Sequence, residues 1–119
     1  MSEKNIAIGR EFLRAFNARD LDGLIALYAD DAVHVTPKAR IQHPESGGRV
    51  PGRQALREWW AESFDRLPSL QYDPVTVTAD DERVWLEYRR RVPNEPELAV
   101  AEILVIRDGK VVQSRVYHG

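Results

Sequence analysis

Cysteine is absent from the 119-residue sequence, and this absence excludes disulfide bonds and thiolate metal sites. The sequence also lacks a large net charge: its formal value at pH 7 is −2, which gives no electrostatic reason to expect nucleic acid or a membrane surface as a partner. No apolar run approaches the roughly 18 residues of a membrane-spanning helix. Charges also interrupt the N-terminal stretch MSEKNIAIGREF before it reaches signal-peptide length. We therefore expect a cytoplasmic protein.

Length and composition indicate one globular unit. Hydrophobic residues make up 43% and charged residues 30% of the chain, which is an ordinary globular balance. A chain of 119 residues is long enough for one core and too short for two. The histidines show no local metal-binding motif. We expect residues 1–119 to form a single domain that uses no metal and no cofactor.

Apolar residues recur with helical spacing in the first part of the chain. The pattern predicts a first helix over residues 3–17, a short second helix from Asp20 to about Asp31, a strand over residues 32–36, and a third helix between Gly52 and Pro68. Residues 37–52 show no period and read as a long loop, of a length that favours a functional rim or lid.

The chain after Pro74 alternates as strands do. Its four extended segments are separated by turn residues at Asp80–Asp81, Pro93–Pro96 and Asp108–Gly109. This order of elements predicts an α+β fold in which three N-terminal helices cover one face of a curved, mostly antiparallel sheet.

Three stretches, in this order and at suitable separations, carry a resemblance to a known superfamily: FNARDLDGLIALYADDAVHVTP, VPGRQALREWW and AEILVIRDGKVVQSRVY. They resemble the nuclear transport factor 2-like proteins, and among these the SnoaL-like polyketide cyclases and the steroid isomerases. The resemblance covers nearly the whole chain. It implies a cone-shaped barrel with a cavity between the helices and the concave sheet face, and a homodimer formed through the convex face. Activity varies widely on one fold, so function depends on individual residues.

The isomerase residues are only partly retained. The resemblance places Thr36 at the position of the isomerases' catalytic aspartate and Phe12 at that of their phenolic donor, and neither side chain can replace those groups near neutral pH. Asp30 and Asp31 are adjacent and are better explained as turn residues at a helix end than as a catalytic pair.

Glu102 is the principal candidate for acid/base chemistry. A four-residue loop over Pro93–Pro96 would set Glu87 opposite Glu102 on one sheet face, with Arg89 as a diagonal neighbour. Two facing carboxylates would raise the pKa of one of them. The resemblance adds that Glu102 occupies the place of a protonated aspartate in the isomerases. The alternative is a structural Glu–Arg–Glu cluster without catalytic function.

Two histidines are further candidates. Strand alternation places His34 on the same face as Thr36, toward the cavity, although a packed structural histidine is the more common explanation. The resemblance places Val116 where the cyclases tend to carry an acidic residue on the last strand, and His118, two positions later, is a substitute.

The Asp108–Gly109 turn decides which residues of the last strand accompany Glu102. A two-residue turn sets Arg115 opposite Glu102, and a three-residue loop sets Ser114 there. The resemblance favours the three-residue loop, which directs toward the cavity Val112, Ser114, Val116 and His118.

Aromatic residues predict the kind of ligand. Several of them surround the expected cavity and suit a small ring-containing compound, although aromatic residues are first of all core residues. We predict a small-molecule-binding protein that acts as an acid/base isomerase, cyclase or dehydratase, with Glu102, Glu87 and His34 as catalytic residues. The predicted substrate-binding residues are Phe12, Tyr28, Thr36, Trp60, Trp85, Arg89, Val116 and His118. The alternative is a noncatalytic ligand-binding or dimerisation domain with a vestigial pocket. The expected dimer face contains Leu86, Tyr88, Ala101, Ile103 and Val105.

Overall fold

Six strands form one curved sheet, and helices cover its concave face. The structure, a computed structural model, describes residues 2–119. The elements in chain order are α1 (Glu3–Asn17), α2 (Leu21–Ala26), β1 (Tyr28–Val35), α3 (Pro37–Gln42), a 3₁₀ turn (Pro44–Ser46), β2 (Arg49–Pro51), α4 (Arg53–Arg66), β3 (Gln71–Ala79), β4 (Arg83–Arg91), β5 (Leu98–Arg107) and β6 (Lys110–His118).

The strands lie in the order β2-β1-β6-β5-β4-β3. Only the pairing of β1 with β6 is parallel. The predicted α+β architecture is therefore confirmed, but the sheet stays open between its edge strands β2 and β3 and does not close into a barrel. No helix in the described part of the chain has the length and apolar character needed to cross a membrane.

Helix α1 packs closely on the sheet because of its sequence. The Ser2 hydroxyl accepts a hydrogen bond from the Asn5 amide and caps the helix, and Phe12 and Phe16 on its apolar face are 1% exposed. A Cβ at Gly9 would lie 2.7 Å from Cγ1 of Val84. Glycine is thus what lets α1 approach β4.

The segment before α4 is more regular than predicted. Helix α2 ends at Ala26 and β1 begins at Tyr28, four residues before the expected strand, because the extended backbone there pairs with β6. The expected loop over residues 37–52 contains α3, the 3₁₀ turn and β2. The Thr36 hydroxyl caps α3, Pro37 occupies its first turn, and Val50 of β2 pairs with His34.

The predicted pairing of Glu87 with Glu102 is wrong. Leu86 lies opposite Glu102, and Glu87 lies opposite Ala101. The connection from β4 to β5 contains one residue more than predicted, with Asn94 at a φ of 68°, and a slip of one residue exchanges the two faces of a strand. Three predicted site residues, Trp85, Glu87 and Arg89, consequently lie on the convex face. The reverse holds for Leu86 and Tyr88, which were expected on the convex face and are buried on the concave one.

The predicted three-residue loop between β5 and β6 is also wrong. Arg107 pairs with Lys110 around a two-residue turn, in which Asp108 and Gly109 both have positive φ. A register shift between Val105 and Ile106 then adds one residue to β6. Because of the two-residue turn, Val111 and not Val112 lies opposite Ile106 and enters the core. Beyond the bulge the expected faces are restored: Ser114 lies opposite Leu104, Val116 opposite Glu102, and His118 opposite Val100.

Candidate functional site

A cavity of about 40 Å³ lies between helices α1 and α4 and the concave face of the sheet. Its buried lining includes Phe12, His34 and Glu102, and its more exposed lining includes Lys38 and His118, which mark the mouth. Sites for drug-sized ligands usually enclose about 300–1,000 Å³. At about 40 Å³ this cavity has room for a few water-sized groups, so it accommodates one end of a ligand unless side chains at the mouth move.

Glu102 is the acidic residue of this cavity and is 1% exposed. The Tyr88 hydroxyl donates a hydrogen bond of 2.8 Å to its Oε1, whereas Oε2 is buried and has no hydrogen-bond partner among residues 2–119. Burial raises the pKa of Glu102 to about 7, because the charged form is poorly solvated, and the bond from Tyr88 offsets only part of this effect. The carboxyl thus exchanges its proton near neutral pH and presents one unpaired oxygen.

His34 is held by a chain of hydroxyl groups. The Tyr28 hydroxyl donates to Ser114 Oγ at 2.9 Å, and Ser114 Oγ lies 2.6 Å from Nδ1 of His34. Since Tyr28 supplies its own proton to Ser114, the Ser114 proton is free to donate to Nδ1, an arrangement that favours the imidazole proton on Nε2. The chain thus holds the ring in place and favours one tautomer.

The contact between His34 and Glu102 joins two neutral groups in mildly acidic solution. Nδ1 of His34 lies 3.9 Å from Oε2 of Glu102. Burial lowers the pKa of His34 to about 4 and raises that of Glu102 to about 7. Between these values the proton resides on the carboxyl and the imidazole is uncharged, so the contact is not an ion pair.

Basic side chains surround the mouth of the cavity. Arg90 of β4, Lys38 of α3 and His118 of β6 all belong to the lining. The Arg90 side chain is 8% exposed, and its only acidic partner in the described chain is Glu95, with an N–O distance of 3.3 Å. Lys38 forms no ion pair among the described residues. The mouth therefore carries an excess of positive charge.

The cavity brings together seven of the residues predicted from the sequence, namely Phe12, His34, Thr36, Trp60, Glu102, Val116 and His118. Tyr28 is fully buried and does not line it, but supports His34 through Ser114. The remaining three, Trp85, Glu87 and Arg89, lie on the other face of the sheet.

Several lining residues were not predicted from the sequence, and of these Tyr88 and Arg90 matter most for the chemistry. The predicted register of the β4–β5 hairpin was wrong by one residue. With the right register, alternation along β4 would have placed both side chains on the concave face. Lys38 was assigned to a loop, and the signal that could have placed it was the cap formed by Thr36 and Pro37. Within residues 2–119 no group of three or more His, Asp and Glu side chains is arranged to hold a metal ion.

Comparison with known proteins agrees with this fold. A model of the SnoaL-like domain matches residues 9–114. A SnoaL-like protein of unknown function from Burkholderia thailandensis has 23% identity and a TM-score of 0.89, over 100% of this chain and 97% of that one. TerC, crystallised with polyporic acid, has 21% identity and a TM-score of 0.83, over 98% and 92%. A candidate ketosteroid isomerase from Kribbella flavida has 20% identity and a TM-score of 0.82, over 99% and 79%. At these identities the three structures establish the fold alone.

Proposed function

The chain belongs to the SnoaL-like family, and from that premise we propose that it binds a small organic molecule in the cavity and transfers a proton to or from it through Glu102. The observation that carries this proposal is the unpartnered Oε2 of Glu102, buried in the cavity wall. An unpaired buried oxygen is costly, and the oxygen or acidic C–H group of a ligand would provide its missing partner. Isomerases, cyclases and dehydratases all need such a proton transfer.

The acidity of Glu102 suits this chemistry. A general acid or base is most effective when its pKa lies near the working pH, and burial brings that of Glu102 to about 7. In its ionised form Glu102 accepts a proton from a carbon next to a ligand carbonyl. The C–H electron pair then moves to form the enolate, and the protonated carboxyl returns a proton in the reverse step.

His34 has a supporting part in this proposal. With its proton on Nε2 and its charge suppressed by burial, the imidazole is a hydrogen-bond donor to the ligand oxygen on which negative charge develops. It is a poor base, since its pKa is about 4. Glu102, and not His34, therefore carries the proton.

Exchange of α-hydrogens for deuterium tests the proposal without knowledge of the natural substrate. Small ketones from acetone to cyclohexanone are incubated with the protein in D₂O, and loss of the α-proton signal is followed by NMR. We expect exchange faster than in buffer with wild type, and exchange at the buffer rate with Glu102→Gln. Glu87→Gln is the matched control, because its carboxyl lies on the convex face. Equal rates for wild type and Glu102→Gln across the series would contradict proton transfer.

A noncatalytic binding domain is the second candidate, and the small cavity favours it. Phe16, Tyr72 and Tyr88 stack on one another with centroid distances of 3.8 and 4.1 Å. These aromatic rings thus pack against one another and leave only about 40 Å³ free. A whole ring of a ligand enters only if side chains at the mouth move. Binding of the ketones without proton exchange would support this second candidate.

A further inference from the structure

The three basic residues at the mouth are not used by the proposed proton transfer. They come from three different elements, α3, β4 and β6, and converge on the same cavity. The guanidinium of Arg90 contributes, after burial, to lowering the pKa of both Lys38 and His118. Arg90 therefore lies near both Lys38 and His118, in agreement with their common place in the cavity lining.

The charges at the mouth are incompletely balanced. Glu95 is the only acidic partner of Arg90 within the described chain, and its own side chain is 47% exposed. Lys38 is half-buried and forms no ion pair there. A cation withdrawn from water is stable only when it is well paired, so an additional anion at the mouth would complete the arrangement.

Sheet register places Arg90, the most buried of these cations, away from Glu102. Glu102 pairs with Leu86, and Arg90 is four residues farther along β4, which corresponds to about 13 Å of strand. Burial and Tyr88 account for the pKa of Glu102, with no contribution from the cations. The cavity thus has a neutral, proton-exchanging end and a positively charged end.

We propose that the ligand is an organic carboxylate, whose anionic group binds Arg90 and Lys38 at the mouth while its reacting polar group lies against Glu102. The inference rests on the proposed function and adds the class of substrate. Arg90 supplies the planar fork that pairs with a carboxylate, and Lys38 adds a second, mobile positive charge. His118 lies beside them and adds attraction when protonated.

Paired probes of equal shape test the charge requirement. The probes are 4-oxocyclohexanecarboxylate and its neutral amide, titrated into the labelled protein at about pH 6, where the free acid is ionised. Affinities are measured from backbone amide shifts. We expect the carboxylate to bind at least about tenfold more tightly than the amide, the effect of one charge-assisted hydrogen bond. Arg90→Met should reduce this preference to about twofold or less.

Two further variants keep the test decisive. Lys38→Met changes a half-exposed residue on a short helix and should weaken the preference even if Arg90→Met fails to fold. Arg91→Met is the control, because Arg91 is exposed and pairs with Asp73 at 3.0 Å outside the cavity. Arg91→Met should prefer the carboxylate over the amide to the same extent as wild type.

The outcomes separate this inference from the proposed function. Equal affinity for both probes, no binding of either, or a preference that persists in both Arg90→Met and Lys38→Met would overturn the carboxylate assignment. Tighter binding of inorganic phosphate than of the carboxylate would overturn it in favour of a phosphate group. Ketone exchange that depends on Glu102 without any carboxylate preference would contradict the inference alone. A preference without exchange would contradict the proton transfer alone.

Discussion

Replacement of Glu102 by glutamine should change how stability depends on pH. The pKa of Glu102 is raised from 4.5 to about 7 in the folded protein. Between these values the folded state holds a proton that the unfolded state has released, so the free energy of unfolding falls as pH rises. A shift of this size corresponds to about 3 kcal/mol lost between pH 4.5 and 7. Glutamine does not titrate and removes this loss.

His34 acts in the opposite direction over nearly the same range. Its pKa falls from 6.5 to about 4 on folding, so between these values the unfolded state binds the extra proton and stability rises with pH. The size of the effect is again about 3 kcal/mol. In wild type the two effects on stability largely cancel. Glu102→Gln should therefore show the pH dependence caused by His34, and His34→Gln should show the pH dependence caused by Glu102.

Urea unfolding between pH 4 and 8 measures these effects for wild type, Glu102→Gln and His34→Gln. Relative to wild type, Glu102→Gln should gain about 3 kcal/mol as pH rises from 4.5 to above 7, and His34→Gln should lose about 3 kcal/mol between pH 4 and 6.5. Differences between variants remove the contribution of the surface carboxylates. If the difference in unfolding free energy between Glu102→Gln and wild type stays constant with pH, the reasoning is refuted. Glu102 would then have the same pKa in the folded and the unfolded state.

Three other predictions concern the fold and assembly. Trp60→Ala should cost about 3–5 kcal/mol, since Trp60 is 3% exposed, and Trp59→Ala should cost less because Trp59 is only partly buried; equal losses in chemical denaturation would contradict this. Gly9→Ala should cost about 1–3 kcal/mol, despite the higher helix propensity of alanine, because its Cβ meets the side chain of Val84, and an increase in stability would be the contrary result. The convex face, where Tyr117 is 49% exposed, should form a two-fold dimer that Tyr117→Glu dissociates, and light scattering of wild type at micromolar concentration that shows a monomer would exclude it.

Patterns with a clear period predicted the fold well. The spacing of Phe12 and Phe16 on α1, and of Leu56 and Trp60 on α4, identified both helices and their buried faces. Alternation from His34 placed that side chain toward the cavity. Such patterns report burial, which a sequence encodes in every turn of a helix and every second residue of a strand.

Hairpin registers were less predictable, because one residue more or less in the connecting loop changes the pairing of the whole hairpin. The connection from β4 to β5 has one residue more than its proline spacing indicated, and this moved Arg90 into the cavity and Glu87 out of it. The turn at Asp108–Gly109 was wrong as well, but the bulge in β6 compensated, so Ser114 still faces inward. A bulge leaves no clear trace in the sequence, since the extra residue is ordinary.

The pKa of the Glu102 side chain, measured directly by carboxyl-resolved NMR titration, tests the central claim that this carboxyl exchanges a proton within the cavity near neutral pH. Glu102→Gln identifies its signal, and the other glutamates of the same spectrum serve as references. We predict an apparent pKa of about 7 for Glu102. A value near the ordinary 4.5 would mean that the carboxylate is solvated or paired, and would contradict the account.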